Sequence, residues 1–319
     1  MAATELSGRA TEVQNLAEFD WNDLRYFVAV AREGSTLAAA KTLGVSQPTV
    51  QRRLAALEKQ IGCQLIEHRP TGYCLTELGR DLLPFAQRVE REALAFARQL
   101  STRDESLSGT IRITCPEADL PRLLERVFDR FQAQYPGVSL KFLVTDRALD
   151  LARGEADIAL RGGQPKDGRL IGRKLADALW LLYASRTYVQ GHGLPETPAD
   201  LQKNSFVIYT GALSELGPGR WLRSVVASAK IAAYSNSVSG ALSAARSGLG
   251  LVMLPAHAGS RQNDLLCVWH PQPEVTEPIT LLVHPDLRRI PRVRALLDFI
   301  GEETPILRAL FRGEAETQS

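Results

Sequence analysis

The chain has 319 residues, 45% of them hydrophobic and 23% charged, which is ordinary for a soluble globular protein with room for two or three domains. Its 38 Lys and Arg against 36 Asp and Glu leave a formal charge of +2, too near neutral to announce a nucleic-acid partner, so any such partner must be argued from where the charges lie. Cys63, Cys74, Cys115 and Cys267 show no CxxC or zinc spacing, the N-terminus lacks a basic-then-apolar leader, and apolar runs such as Leu179 to Ala184 fall far short of the roughly 20 residues that span a bilayer. No disulfide, zinc or membrane framework is expected, and the predicted location is the cytoplasm.

After a polar, mobile segment over 1–20, Leu24, Phe27, Val28 and Ala31 fall at i, i+3, i+4 and i+7, one stripe of a helix that Gly34 ends. Ser35 then caps a short helix, "TLAAAKTL", whose alanines let a neighbour approach closely, and Gly44 closes it. Ser46 caps a third helix with Pro48 in its first turn. Two helices joined by a tight glycine turn form a helix-turn-helix.

On the third helix Val50, Leu54, Leu57 and Ile61 share a narrow arc, and the opposite arc carries Pro48, Thr49, Gln51, Arg52 and Lys59, with Arg53 on the flank. Gln and Arg pair bidentately with adenine and guanine in the major groove, and the second helix of a helix-turn-helix reads bases from its N-terminal turns. Short apolar pieces around Gly62, Pro70 and Gly72 predict a two-stranded wing, whose His68 and Arg69 suit phosphate contact; His68 equally suits an idle surface position. The DNA-contacting set is thus Ser35, Ser46, Gln47, Pro48, Thr49, Gln51, Arg52, Arg53, His68 and Arg69. A long helix over about Thr76 to Leu100 follows, with Leu82, Ala86, Val89, Ala93, Phe96 and Leu100 in a heptad seam and Pro84 bending it or starting its regular part. The seam packs either on the chain's own domain or on a second copy, and pairing is favoured because a two-fold dimer matches a palindromic DNA site.

The polar stretch Ser101 to Thr110 reads as a linker. Beyond it "TIRIT", a helix around Leu120 to Tyr135, "VSLKFLV", a helix near Leu149 to Gly154 and "ADIAL" alternate, followed by strands "ALWLLYA", "NSFVIY" and "KIAAYS", a helix over Ser237 to Ser247, "GLVMLP", "ITLLVH" and a helix over Pro291 to Glu303. Alternation of this kind predicts α/β architecture with a mostly parallel sheet, in two halves with a cleft between them at the strands' carboxyl ends.

The run from Leu24 to Leu83, "LRYFVAVAREGSTLAAAKTLGVSQPTVQRRLAALEKQIGCQLIEHRPTGYCLTELGRDLL", resembles the DNA-binding region of LysR-type transcriptional regulators. "GTIRIT", "FQAQYPGVSLKF", "DLARGEADIALR" and "ARSGLGLVMLP" extend the likeness over residues 21 to 300 or so. It implies a winged helix-turn-helix, a dimerising linker helix and an effector-binding domain of two Rossmann-like subdomains resembling periplasmic binding proteins, commonly assembled as a homotetramer. Gln51 stands where many members have serine, so contacts there differ, and Ile66 replaces an aromatic.

The implied organisation is a winged helix-turn-helix domain over 21–80, a linker helix and hinge over 81–108, an effector domain over 109–305 and a tail over 306–319. Subdomain I takes 109–163 and 272–305, and subdomain II takes 164–271. By the same resemblance the effector pocket comprises Thr114, Cys115, Pro116, Glu117, Thr145, Asp146, Arg161 and Gly162 from one half, and Tyr209, Thr210, Ser235, Asn236, Ser237 and Val238 from the other. Arg161 suits a carboxylate while Glu117 and Asp146 oppose one, and Arg161 paired with either acid, with Thr114 as a helix cap, is the alternative. Cys115 admits a redox-sensor role, against which stands the lack of a nearby basic residue or resolving cysteine.

The implied partners are double-stranded DNA, a small-molecule co-inducer, further copies of the chain and RNA polymerase, with no cofactor. An enzyme or a solute-binding protein on the same α/β scaffold is the alternative. Against an enzyme, the chain has no GxSxG, P-loop or HExxH, its five histidines are scattered, and "GLGLVMLP" is not the GxGxxG fingerprint.

Overall fold

The computed structural model describes residues 20–69, 72–101, 107–163, 167–226 and 230–314, which fall in two units, Met1–Ala97 and Arg98–Ser319. The segment expected to be mobile, most of the linker and the wing tip at 70–71 lie outside the described residues.

In the first unit α1 (Trp21–Glu33) starts on Asp20, which accepts from Asn22 N at 3.0 Å, and ends at Gly34, whose φ of 63° is the left-handed stop that glycine takes without strain. Its inward face is wider than the predicted stripe. Tyr26, Ala29 and Val30 are buried with Phe27 and Val28, while Leu24 and Ala31 are half-buried, because α2 (Thr36–Leu43) and α3 (Gln47–Ile61) both pack on it. Ala39 and Ala40 are the small residues that admit this approach. On α3, Val50, Leu54 and Leu57 are buried as the arc predicts, and Ile61 is half-buried.

The wing is the antiparallel pair β1 (Ile66–Arg69) and β2 (Gly72–Leu75). Glu58 on α3 accepts from Leu65 N at 2.8 Å and Ile66 N at 3.0 Å, tying the end of α3 to the wing's root. The linker helix α4 (Glu77–Ser101) runs continuously through Pro84. At its start a Cβ added to Gly79 would lie 2.0 Å from the Leu65 carbonyl oxygen, so only glycine lets α4 cross the wing there. Gly79→Ala is therefore expected to destabilise this unit by about 1–3 kcal/mol, as overpacking does. A lowered urea midpoint of unfolding is the measurement that checks it.

The seam divides. Leu82 and Ala86 join the core of their own unit, whereas Val89 is half-buried and Ala93 and Phe96 are exposed, Phe96 to 68%. Arg32 of α1 and Glu90 of α4 add a bidentate bridge at 3.0 and 3.1 Å, which fixes the helix's direction at that point.

The second unit runs β3 (Gly109–Cys115), α5 (Leu120–Leu123), a π-type segment (Leu124–Phe128), α6 (Asp129–Gln134), β4 (Val138–Val144), β5 (Ile158–Gly162) and β6 (Ile171–Ser185). Next come α7 (Arg186–His192), α8 (Pro198–Leu201), β7 (Ser205–Tyr209), α9 (Gly217–Val225), β8 (Lys230–Ser235), α10 (Val238–Arg246), β9 (Val252–Pro255) and α11 (Ala256–Gly259). The chain closes with β10 (Leu265–Trp269), β11 (Val275–Val283), α12 (Pro291–Glu302) and α13 (Thr304–Arg312).

Strands β4, β3 and β5 are parallel, as are β7 and β8. The expected mostly parallel sheet is corrected by β6 and β11, a long antiparallel pair through the middle of the order β10-β6-β11-β5-β3-β4, and by β9 and β10, which pair antiparallel to β6. Only Ala178 to Ala184 of β6 form a legible apolar run, since Ile171 to Lys174 are exposed and give no such signal. Two further expectations change. The helix near Leu149 to Gly154 is one 3-10 turn at Leu151–Arg153, and the expected tail is largely α13, whose Leu307 and Phe311 are fully buried.

Candidate functional site

The first candidate surface is α3 with the wing. Ser35 and Ser46 cap α2 and α3, accepting from Ala38 N and Thr49 N at 3.4 Å each, and the Ser46 hydroxyl also lies 2.8 Å from that of Thr49. Gln47 is half-buried and donates to Thr36 Oγ1 at 3.1 Å, so its side chain joins α2 to α3. Arg53 is turned to α1, where its Nη1 lies 3.1 Å from Asp20 and 3.2 Å from Asp23. Burial pushes the Asp23 carboxyl up from its ordinary value, against the pull of Arg53. What remains outward is Pro48, Gln51 and Arg52, all exposed, and no acid among the described residues pairs with Arg52.

On the wing His68 is exposed and meets Tyr73 edge-on at 5.0 Å, while Arg69 is held by Glu67 of its own strand at 2.9 Å. A phosphate contact by Arg69 would compete with that pair. Of the ten predicted residues, then, Gln51, Arg52, Pro48 and His68 are free to touch a ligand, and Ser35, Ser46, Gln47 and Arg53 hold the framework that presents them.

In the second unit the strand ends gather the other predicted set. Thr114 is buried and donates to Leu143 O at 2.8 Å, so it caps no helix. Arg161 donates to Thr145 O and to Thr114 Oγ1, and pairs with neither Asp146 nor Glu117. Its Nε is buried with no partner, one donor left over. Burial pushes Asp146 up; Arg161 pulls it down, Asp119 and Glu117 push it further, and the Val238 N–H at the start of α10 favours its charged form. That influence brings the two halves' residues to one place. Glu117 is exposed, Pro116 half-buried.

From the other half, Thr210 and Asn236 are exposed, Ser237 caps α10 by accepting from Gly240 N at 3.0 Å, and the Ser235 hydroxyl donates to Ser237 O at 2.8 Å. Tyr209 does not present its hydroxyl: it is buried and donates to Met253 O at 2.7 Å. Gly162 lies against Glu277, a carboxylate that sequence reasoning missed. Glu277 is buried, accepts from Gly217 N at 2.7 Å, and is pushed up by burial. Asp119 and His257 form a second missed pair, 2.8 Å apart and both buried, with the His257 Nδ1 unpartnered. Their 138-residue separation gave no local signal, whereas a lone Glu in "VTEPITLLV" did mark a buried strand with an acid in it.

The family model for bacterial regulatory helix-turn-helix proteins of the lysR family matches residues 21–80, and that of the LysR substrate binding domain matches 104–305. The chain belongs to the LysR family of transcriptional regulators. It is a DNA-binding regulator with an effector-type domain, and not one of the enzymes weighed above.

Relatives of this LysR-type regulator include an HTH-type transcriptional regulator of Xanthomonas campestris pv. campestris, 34% identical over 57% of this chain and 53% of that protein, so the match spans about half of that relative. The probable HTH-type transcriptional regulator LtrA of Klebsiella pneumoniae is 27% identical over 90% and 96%. Among solved structures, the full-length Vibrio cholerae virulence activator AphB superposes with a TM-score of 0.60 at 22% identity, covering 89% of this chain and 99% of that one. Full-length CbnR in complex with its target DNA gives 0.50 at 21%, covering 90% and 100%.

In this LysR-type regulator Cys115 is buried, and burial first, then Asp119, pushes its thiol up to about 12 against the pull of Arg161. The thiolate, the nucleophile that attacks oxidants and disulfides, is scarce at neutral pH under those conditions. Cys115 is expected to stay unmodified by a thiol reagent in the native protein and to react only on unfolding, as peptide mass spectrometry would show.

Proposed function

We propose that this LysR-type regulator acts in the cytoplasm as a homotetramer built from α4-paired dimers, and that a small-molecule co-inducer bound between the halves of the second unit sets its grip on DNA. No other cofactor enters this reading, and RNA polymerase is the further partner it admits. The observation that carries the effector site is the gathering of Thr114, Thr145, Asp146 and Arg161 beside the α10 N-terminus, with the Arg161 Nε left buried and unpaired. An unpaired buried N–H is costly, and a ligand oxygen would satisfy it, with the backbone N–H groups of α10 close by. CbnR was crystallised with its target DNA, and in this chain the exposed Gln51 and Arg52 are side chains able to pair with base edges.

A ligand can regulate only through different affinities for the two arrangements of the protein, and the coupling is reciprocal. The test is a thermal-shift panel of organic acids and amines on the full chain, repeated with Asn236→Ala and with operator DNA present. A compound that stabilises the wild type, loses its effect in Asn236→Ala and changes operator affinity fits the proposal. Stabilisation that ignores Asn236→Ala, or leaves DNA affinity untouched, would overturn it.

A further inference from the structure

Where β6 begins and β11 ends the two strands pair, Ile171 with Val283 and Arg173 with Leu281. Residues two apart on a strand share a face, so these four look the same way. With Leu297 of α12 and the turn through Arg288 and Arg289 they line a half-open surface cavity of about 700 Å³, inside the roughly 300–1,000 Å³ typical of small-ligand sites. None of its residues belongs to the effector site described above.

The cavity has two chemistries. Ile171, which is exposed, and Leu297, which is half-buried, give it an apolar floor, with the buried Leu281 and Val283 beneath them. The rim carries Arg173, Arg288, Arg289 and Arg294 against one acid, Asp298. Asp298 is taken by Arg294 at 3.6 Å, and no acid among the described residues pairs with Arg173, Arg288 or Arg289. Arg173 is also placed by packing: an added Cβ at Gly301 on α12 would come within 2.5 Å of its Nη1. Like charges converging on one rim repel, and the repulsion is stronger beside an apolar wall than in open water. An inorganic anion would relieve it and leave the floor uncovered, whereas a neutral apolar molecule would cover the floor and bury guanidinium edges unpaired. A molecule with a carboxylate on an apolar body does both, since a guanidinium binds a carboxylate bidentately.

We propose that this cavity is a second small-molecule site, separate from the cleft between the halves, for an amphipathic organic carboxylate held by Arg173, Arg288 and Arg289 over Ile171 and Leu297. The strands that form it continue to Glu277 on β11, next to Gly162 and Gly217, so a ligand here acts on elements that also carry the effector site.

Isothermal titration of the full chain with benzoate and with octanoate, using inorganic phosphate as control, tests the site. At least one carboxylate is expected to bind the wild type and Asn236→Ala alike, and to bind about tenfold or more weakly in Arg288→Ala, Arg289→Ala, the loss expected for charged hydrogen bonds. Phosphate should give little heat. These arginines are exposed, so the variant should keep the wild-type melting temperature, and Arg173→Lys offers a milder second change. The proposal fails if neither carboxylate binds at millimolar concentration, if the arginine variants bind like the wild type, or if phosphate binds as well as the carboxylates. Because Asn236→Ala reports on the effector site separately, failure there and failure here are told apart.

Discussion

Arg52→Ala is expected to prefer its operator over random DNA less strongly than the wild type does, losing about 1–3 kcal/mol of discrimination per contact, since a bidentate arginine contact to a base pair is worth that much. The residue stands exposed in the N-terminal half of α3, where a helix-turn-helix reads bases, and it pairs with no acid among the described residues. Arg53, one residue on, should behave differently. Its guanidinium lies against Asp20 and the buried Asp23, so Arg53→Ala removes the partner of a buried carboxylate and should lower stability by roughly 1–3 kcal/mol, discounted because Arg53 is itself partly exposed.

That loss depends on pH with a definite sign. Asp23 titrates above its ordinary value in the folded protein, so its contribution favours folding most when protonated and is lost as pH rises through the folded value. Without Arg53 the carboxyl is harder still to ionise. The gap in melting temperature between wild type and Arg53→Ala should be widest near neutral pH and narrow in acid. Competition binding against random DNA for Arg52→Ala, and melting curves across pH for Arg53→Ala, separate the two roles. Unchanged discrimination in Arg52→Ala would take that residue out of base reading.

Phe96→Asp carries the second large effect. Phe96 is 68% exposed and follows the exposed Ala93 and half-buried Val89 along one side of α4, while Leu82 and Ala86 nearer the start are spent on their own core. Burying a phenylalanine from water stabilises by about 1.5–3 kcal/mol, and a two-fold interface would use the residue once from each copy. A buried carboxylate there reverses the sign, so the variant should sediment as a smaller species and bind a two-half-site operator with loss of affinity. A sedimentation profile identical to the wild type would place the interface elsewhere.

The helix-turn-helix was legible in detail because its punctuation is local. Ser35 and Ser46 cap, Gly34 and Gly44 stop, and each sits where the structure has it. Outward position on a helical wheel was a weaker guide. It could not show that Arg53 folds back onto Asp23 or that Arg69 rests on Glu67, since both depend on where a flexible side chain finds an opposite charge. In the second unit apolar strands such as Val138–Val144 were readable, and the half-exposed start of β6 was not. Buried Glu277 and the Asp119–His257 pair became visible only when distant segments met.

The central claim is that α3 reads DNA sequence, and the most direct measurement is capture and sequencing of source-genome fragments by the purified protein at near-physiological salt, beside Arg52→Ala. Enrichment of a few fragments sharing an interrupted palindrome, lost in the variant, is the predicted result. Enrichment that is equal for the variant, or spread over fragments with no shared half-site, would contradict it.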